Sequence, residues 1–320
     1  MSRPQNLTDY LHTNPDQALR DSLAAIARGC AGIAELLHQQ YQDGDGGREV
    51  GGNDSGDQQK QLDVESDQII LAALHDSPIA HYASEEQSAI IDLTPGRDGL
   101  AVAVDPLDGS SNIAVNGLIG TIFSLRLNRA DLFAAGSCQI AAGFAVYGPR
   151  CRLVFTLGAG VVIAGYDYGR REFMVLQKGV KIPPSSREYA INSSNYRNWT
   201  VPMRRLFDEW QMGADGAFGH NYNMRWNGSL VADAYRILAR GGVFVYPGDV
   251  RPGYQRGRLR LLYEAHPLAM VIEQAGGTAT DGDARIMDLA VTDLHDRTPL
   301  FFGDEPQMAE LADLLAMESQ

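Results

Sequence analysis

Apolar residues near the N-terminus recur at helical spacing. Leu19, Leu23, Ile26, Cys30, Ile33 and Leu37 share one face of a 3.6-residue period, which predicts an amphipathic helix running to about Gln40. Asn14-Pro15 offers it a cap and a first-turn proline. The pattern then stops. Residues 43–57 read DGDGGREVGGNDSGD, with six glycines and Val50 as the one apolar residue, which predicts a mobile loop outside the core. A helix is expected from Leu62 to Leu74. Gly99–Val104 (GLAVAV) is then a short apolar run of the kind buried on both faces of a sheet.

Ile119–Leu127, Gly143–Tyr147, Arg152–Leu157, Val161–Tyr166 and Glu172–Leu176 are further strand candidates between glycine-rich turns, so the first half carries a large sheet. The second half mixes helix (Leu230–Arg240), strand (Gly242–Tyr246 and Leu259–Tyr263), helix (Pro267–Gln274) and a C-terminal helix after Asp304. A boundary near Glu188 divides the chain into an N-terminal domain, 1–188, and a C-terminal domain, 189–320. The longest uncharged run, Leu132–Pro149, contains Gly136, Ser137, Gln139 and Gly143, which suits buried strand better than a lipid-facing helix.

Composition narrows the function class. A chain of 320 residues with 44 % hydrophobic and 21 % charged content is neither disordered nor a coiled coil. The net charge of −13 repels nucleic-acid backbones and anionic lipid, so neither partner is expected. An anionic substrate would need local Arg and Lys or a bound metal. Cys30, Cys138 and Cys151 suit neither a disulfide scaffold nor a zinc site. With no signal-peptide pattern at the N-terminus, a reducing, cytoplasmic location is expected.

Candidate chemistry concentrates after the GLAVAV run. Asp105-Pro106-Leu107-Asp108-Gly109-Ser110-Ser111-Asn112 sets two aspartates across a proline turn, where both can face one point. Gly109, Ser110 and Ser111 then offer backbone N–H groups at a helix start, where orphan donors and the dipole favour a phosphate. Carboxylates beside a phosphate repel it unless a hard divalent cation stands between them, and Mg2+ fits. Alone, such a turn also serves as a tight capped connection. Other acids keep it company: Asp57, Asp63, the Glu85-Glu86 pair and Glu264, which closes an apolar run before Pro267. A solvated surface pair and a helix N-cap are the plain alternatives for Glu85-Glu86 and Glu264. An acid ending a buried strand is nevertheless costly unless metal or a partner neutralises it.

The strings GDQQKQLDV (56–64), SEE (84–86), DPLDGSSN (105–112), GTIF (120–123), GSLVAD (228–233), LRLLYE (259–264) and AGG (275–277) resemble the class I fructose-1,6-bisphosphatase family. The resemblance implies an α/β fold in five layers, α-β-α-β-α, usually assembled as a homotetramer. It implies hydrolysis of the 1-phosphate of fructose 1,6-bisphosphate, in gluconeogenesis or carbon fixation, with roughly two or three Mg2+ per site. Carried over by motif, one metal would bind Glu85, Asp105 and the Leu107 carbonyl, and a second Asp105, Asp108 and Glu264. A third would bridge Glu85 and Asp57. Glu86, supported by Asp63, would be the base that takes the proton from the attacking water.

The substrate residues implied by the same resemblance are Asn192, Arg225 reaching in from a neighbouring subunit, Tyr246 and Arg258. Arg258 stands where relatives have lysine, Asn195 where animal enzymes have tyrosine, and Trp226 where tyrosine follows the arginine. These departures keep a sedoheptulose-1,7-bisphosphatase or a dual-specificity enzyme open, with a non-catalytic sugar-phosphate sensor as the remoter alternative. AMP inhibition is not expected. The threonine, lysine, tyrosine and arginine that hold the nucleotide in many relatives are replaced by the Asp16–Arg20 helix start, Gly99-Leu100 and Leu127.

Overall fold

The computed structural model describes residues 5–43, 49–52, 58–96, 98–184 and 186–317. Helices α1 (Leu7–Leu11) and α2 (Gln17–Asp43) open the chain, and α2 buries Leu19, Leu23, Ile26, Cys30 and Ile33 as the periodicity predicts. Its start differs from expectation. Asn14 Oδ1 accepts the Asp16 N–H at 2.9 Å, and Asp16 Oδ1 accepts the Leu19 N–H at 3.0 Å. Asp16 is therefore the cap, and Pro15 precedes the helix.

The glycine-rich segment also holds more structure than predicted, because β1 (Glu49–Gly52) pairs antiparallel with β2 (Gln58–Lys60). A two-stranded ladder uses backbone groups, which glycine supplies as well as any residue. Asp57 lies outside the described residues.

Helix α3 (Gln61–Leu74) crosses α2 so closely that a Cβ on Gly29 would stand 2.7 Å from Ile70 Cδ1. Both helices cover one face of an eight-stranded sheet ordered β10-β9-β8-β7-β6-β5-β3-β4. Its strands are β3 (Ile79–Ser84), β4 (Ile91–Asp92), β5 (Leu100–Asp108), β6 (Ile119–Arg126), β7 (Gln139–Tyr147), β8 (Arg152–Thr156), β9 (Val161–Asp167) and β10 (Glu172–Val180). Every neighbouring pair is antiparallel except β3 and β5, which run parallel.

A five-stranded sheet in the order β12-β11-β13-β17-β15 organises the second half. It comprises β11 (Glu188–Ile191), β12 (Asn223–Met224), β13 (Val243–Tyr246), β15 (Gly277–Thr280) and β17 (Leu300–Asp304). Helices α5 (Leu230–Arg240) and α6 (His266–Gln274) fill the space between the two sheets, and α4 (Val201–Met212) and α7 (Glu305–Met317) cover the outer face. The layers are thus α-β-α-β-α, as the resemblance implied.

One predicted strand is corrected. Leu259–Tyr263 contributes only β14 (Leu259–Arg260), paired with β16 (Arg297–Thr298), before Leu261–Ala265 forms a single π-helical turn that leads into α6. All five residues of that turn are buried, and an apolar run buried all round carries no period to separate strand from helix. Strands β3 and β11 and helix α4 also lay outside the sequence prediction.

Candidate active site

Because β3 and β5 are parallel neighbours, both end at the same edge of the large sheet. Glu85 and Glu86 follow β3, and the Glu85 N–H donates to the Val104 carbonyl at 3.0 Å. Against β6, Asp105 lies opposite Ile122 and Asp108 opposite Gly120, so β5 carries one extra residue. The expected proline turn is therefore a bulge within the strand. Residues three apart in a regular strand point to opposite faces, and the extra residue returns both aspartates to one side.

Each acid is then fixed. Asp105 Oδ1 accepts the Leu107 N–H at 3.0 Å. Asp108 Oδ2 accepts Ser229 Oγ at 2.7 Å and the Val231 N–H at 3.0 Å, which ties the strand to the capped start of α5. Gly109, at φ +75°, turns against the same cap, where a Cβ would meet Ser229 Cβ at 2.8 Å. Ser110 and Ser111 begin a short 3-10 stretch to Val115, fastened by Asn112 Nδ2 donating to the Leu118 and Asn227 carbonyls, both at 3.0 Å. Glu264 projects from the π turn and accepts the Arg260 N–H, so it does not cap α6. Oxygens of Asp105, Asp108 and Glu264 all lie within 4.8 Å of one another, and all three residues are buried.

Burial, with the charges of Glu85, Asp108, Glu264 and Glu86, pushes Asp105 well above the usual carboxylate range. Burial pushes Asp108 up to about 6 despite the hydrogen bonds that favour its ionised form. Burial and then Glu85 raise Glu264 strongly. Such a cluster must take up protons or a cation, and buried carboxylate oxygens suit a hard divalent ion. Glu86 follows Glu85 beyond β3 with its N–H donating to Ser84 Oγ at 3.2 Å, and Asp63 is buried in the first turn of α3.

Two supporting residues escaped the sequence reading. Arg260, 3 % exposed, donates from Nε to Glu85 Oε1 at 2.9 Å and offsets part of the acidic charge. Its signal was a lone arginine inside the apolar LRLLYE string. Asp67 is buried one turn beyond Asp63, and accepts Tyr82 Oη and Ser84 Oγ at 2.6 Å and Gln87 Nε2 at 2.7 Å. It anchors the turn that carries Glu85 and Glu86.

The second half-site follows the same geometric rule. Strands β12, β11 and β13 are mutually parallel, and Arg225, Asn192 and Tyr246 stand at or just beyond their C-terminal ends. Asn192, Asn195, Tyr246, Asp249, Tyr254 and Arg258 line one pocket there. Arg258 of this pocket stands two residues before Arg260, whose N–H holds Glu264, so the pocket adjoins the acidic cluster. Trp226 stacks on Phe244 and tilts against Tyr246, with centroids 5.9 and 6.0 Å apart. Arg225 is not brought into the pocket among the described residues. Its half-exposed guanidinium lies 3.5 Å from Glu188, which also takes Arg236 and Arg240.

The pattern of the family described as "Fructose-1-6-bisphosphatase, N-terminal domain" matches residues 11–178, and that of its C-terminal domain matches residues 182–316. The chain belongs to the class 1 fructose-1,6-bisphosphatase family. It is similar to "Fructose-1,6-bisphosphatase class 1 1" of Nitrobacter hamburgensis, 49 % identical over 98 % of this chain and 93 % of that protein. A Rhodopseudomonas palustris "Fructose-1,6-bisphosphatase class 1" is also 49 % identical, over 93 % of this chain and 88 % of its own length. Among solved structures, Leishmania major fructose-1,6-bisphosphatase in holo form superposes with a TM-score of 0.91 at 33 % identity, covering 98 % of this chain and 99 % of that one. Fructose-1,6-bisphosphatases are metal-dependent in general, which agrees with the buried carboxylate cluster. No helix among the described residues is long and apolar enough to cross a membrane.

Proposed function

We propose that the protein hydrolyses the 1-phosphate of D-fructose 1,6-bisphosphate, giving fructose 6-phosphate and inorganic phosphate. The observation that carries this reading is the buried Asp105, Asp108 and Glu264 cluster beside a pocket containing Arg258 and Tyr246. Acids that need cations and a separate cationic pocket together match a substrate with two phosphates.

Bound Mg2+ would neutralise the carboxylates and polarise the phosphoryl oxygens. Glu85, Asp105, Asp108, Glu264 and the Leu107 carbonyl would hold the ions, with Asp57 joining when the substrate is in place. Arg260 supports this division of labour by pairing Glu85 from the buried side. Glu86 would accept the proton of the attacking water, with Asp63 supporting it. The backbone N–H groups of Gly109, Ser110 and Ser111 would cradle the reacting phosphate while Asn192, Tyr246 and Arg258 hold the distal one.

We assign the metal site to the N-terminal domain, 1–188, completed by Glu264 from the C-terminal domain, 189–320. The reading includes a cytoplasmic enzyme that assembles as a homotetramer. Arg225, half-exposed and held by Glu188 outside its own pocket, would reach the distal phosphate of a neighbouring subunit.

Phosphate release from fructose 1,6-bisphosphate with Mg2+, with chelator and against sedoheptulose 1,7-bisphosphate tests the proposal. Metal-dependent release favouring the fructose substrate is expected. Release only from the seven-carbon sugar would reassign the substrate, and none from either would restore the sensor alternative.

A further inference from the structure

The distal pocket needs hydrogen-bond donors, because a phosphate dianion offers only acceptors. Two of its residues are asparagines, whose amides present either a carbonyl oxygen or an NH2 group, and only one face of each suits this ligand. Both carbonyl oxygens are already taken. Asn192 Oδ1 accepts the Ser194 N–H at 3.3 Å and the Ser194 hydroxyl. Asn195 Oδ1 accepts Arg251 Nη2 at 3.1 Å. A guanidinium can only donate, so the atom of Asn195 that faces Arg251 must be the oxygen. That leaves the Asn195 NH2 with no protein acceptor among the described residues, on a residue that lines the pocket.

Arg251 is itself held rigidly. Its Nε donates to Asp249 Oδ1 at 3.0 Å and Oδ2 at 3.1 Å, its Nη2 also reaches Oδ2, and its backbone N–H reaches Oδ1 at 2.9 Å. The guanidinium lies 4.7 Å from the Tyr254 ring centroid, and Arg258 lies 5.0 Å from that same centroid. The Val250 N–H donates to the Asn198 carbonyl at 2.9 Å and pins this loop to the turn that bears Asn195. The clamp also answers an electrostatic difficulty. Asp249 lines the pocket, and an unpaired carboxylate there would repel a phosphate.

We infer that Arg251 is a positioning residue for the distal phosphate. Clamped by Asp249, it fixes the Asn195 amide with its NH2 toward the ligand, so that Asn195 is a phosphate-binding residue of the pocket. This rests on the proposed sugar-bisphosphatase reading and adds to it two residues that decide how the non-reacting phosphate is recognised.

Asn195→Asp and Asn195→Ala together are the sharpest test. The first keeps size, shape and an oxygen facing Arg251 but exchanges the donor for a charged carboxylate oxygen, and the second removes the donor without adding charge. Charge repulsion alone would weaken binding in Asn195→Asp only, and a purely structural Asn195 would lower the thermal midpoint of Asn195→Ala while leaving affinity near wild type. The inference expects fructose 6-phosphate binding by titration calorimetry to weaken about 10- to 100-fold. The KM for fructose 1,6-bisphosphate should rise with it, more than kcat falls, while the thermal midpoint is not lowered. Arg251→Met should also raise KM, and Arg251→Lys should recover part of the loss. In an Asn195→Ala background, Arg251→Met should cost less than it does alone, because Arg251 acts through the amide. Wild-type affinity and KM in Asn195→Ala would overturn the inference and leave the proposed function standing. A wild-type protein that neither binds fructose 6-phosphate nor turns over the bisphosphate would overturn both.

Discussion

The acidic cluster and the distal pocket are built at the ends of parallel strands, yet they solve opposite electrostatic problems. In the cluster, Asp105, Asp108 and Glu264 are buried together with like charges close by. In the pocket, Asn192, Asn195 and Tyr246 are only half-buried and, with Arg258, would offer donors to an anion. Burial makes the cluster intolerant, because each carboxylate needs a cation and each cation must be matched. The half-exposed pocket can meet the same phosphate with different donors, since water and side-chain rearrangement share the cost. That contrast gives a physical reason why the departures from the family pattern fall in the pocket, as Asn195 and Arg258 do, or pack against its Tyr246, as Trp226 does.

Attacking the cluster should have the largest effect. Excess chelator is expected to abolish phosphate release and Mg2+ to restore it, and Glu86→Gln should lower kcat by roughly 10²–10⁴ while substrate binding persists. Full turnover in chelator would remove the basis of the comparison. Arg260→Met would strand Glu85 beside the other acids, and removing one member of a buried pair costs about 3–5 kcal/mol. Thermal denaturation without metal would read that loss, and an unchanged midpoint would show that Glu85 needs no protein cation.

The pocket should respond through affinity. Arg225→Ala is expected to raise KM about 10- to 100-fold. Hybrids of Arg225→Ala with Glu86→Gln subunits should recover activity if the arginine crosses between subunits. Hybrids no more active at low substrate than a mixture of the two parents would return Arg225 to its own chain.

Protonation offers a subtler probe of the cluster. Asp105, Asp108 and Glu264 have pKa values raised on folding, so without metal they stabilise the fold below the usual carboxylate range. That stability falls away as pH rises through the raised values, about 6 for Asp108. His266, pushed down to about 3 by burial and then Arg126, works the other way, costing stability as pH falls below the ordinary histidine range. Its contribution is common to both metal states. The stability gained from Mg2+ should therefore grow between about pH 5 and 7. Parallel melting curves with and without Mg2+ across that range would contradict the assigned origin of the shifts.

The smallest expected effect is none at all, because AMP should leave turnover unchanged. Asp16 already places a carboxylate on the Leu19 N–H at the start of α2, and Arg126 is fully buried against His266 and the Asp131 carbonyl. The carboxylate of Asp16 would repel a nucleotide phosphate at the helix start, and the buried arginine is not free to take one. Cooperative inhibition by AMP, lost in Arg20→Ala, would show a rebuilt effector site.

Periodicity was enough for elements whose two sides differ or whose ends are marked. The stripe of α2, the Leu230–Arg240 helix between Ser229 and Gly241, and most strands of the large sheet were legible from local pattern. The acids that the fold gathers, Asp105, Asp108 and Glu264, also stood out in the sequence, because a buried charge must be matched wherever it occurs and the strings that carry them are distinctive. Four things depended on the folded chain. The π turn at Leu261–Ala265 arises in an apolar run with no period, and only packing between the sheets decides its winding. The bulge at Asp105–Asp108 is defined by register against β6, a strand that follows after an intervening turn. Arg260 and Glu85 pair across a separation of 175 residues. The amide of Asn195 is oriented by an arginine 56 positions away. Local sequence determines which groups need partners, whereas the tertiary structure decides which partner each one meets, because burial and register are properties of the whole fold.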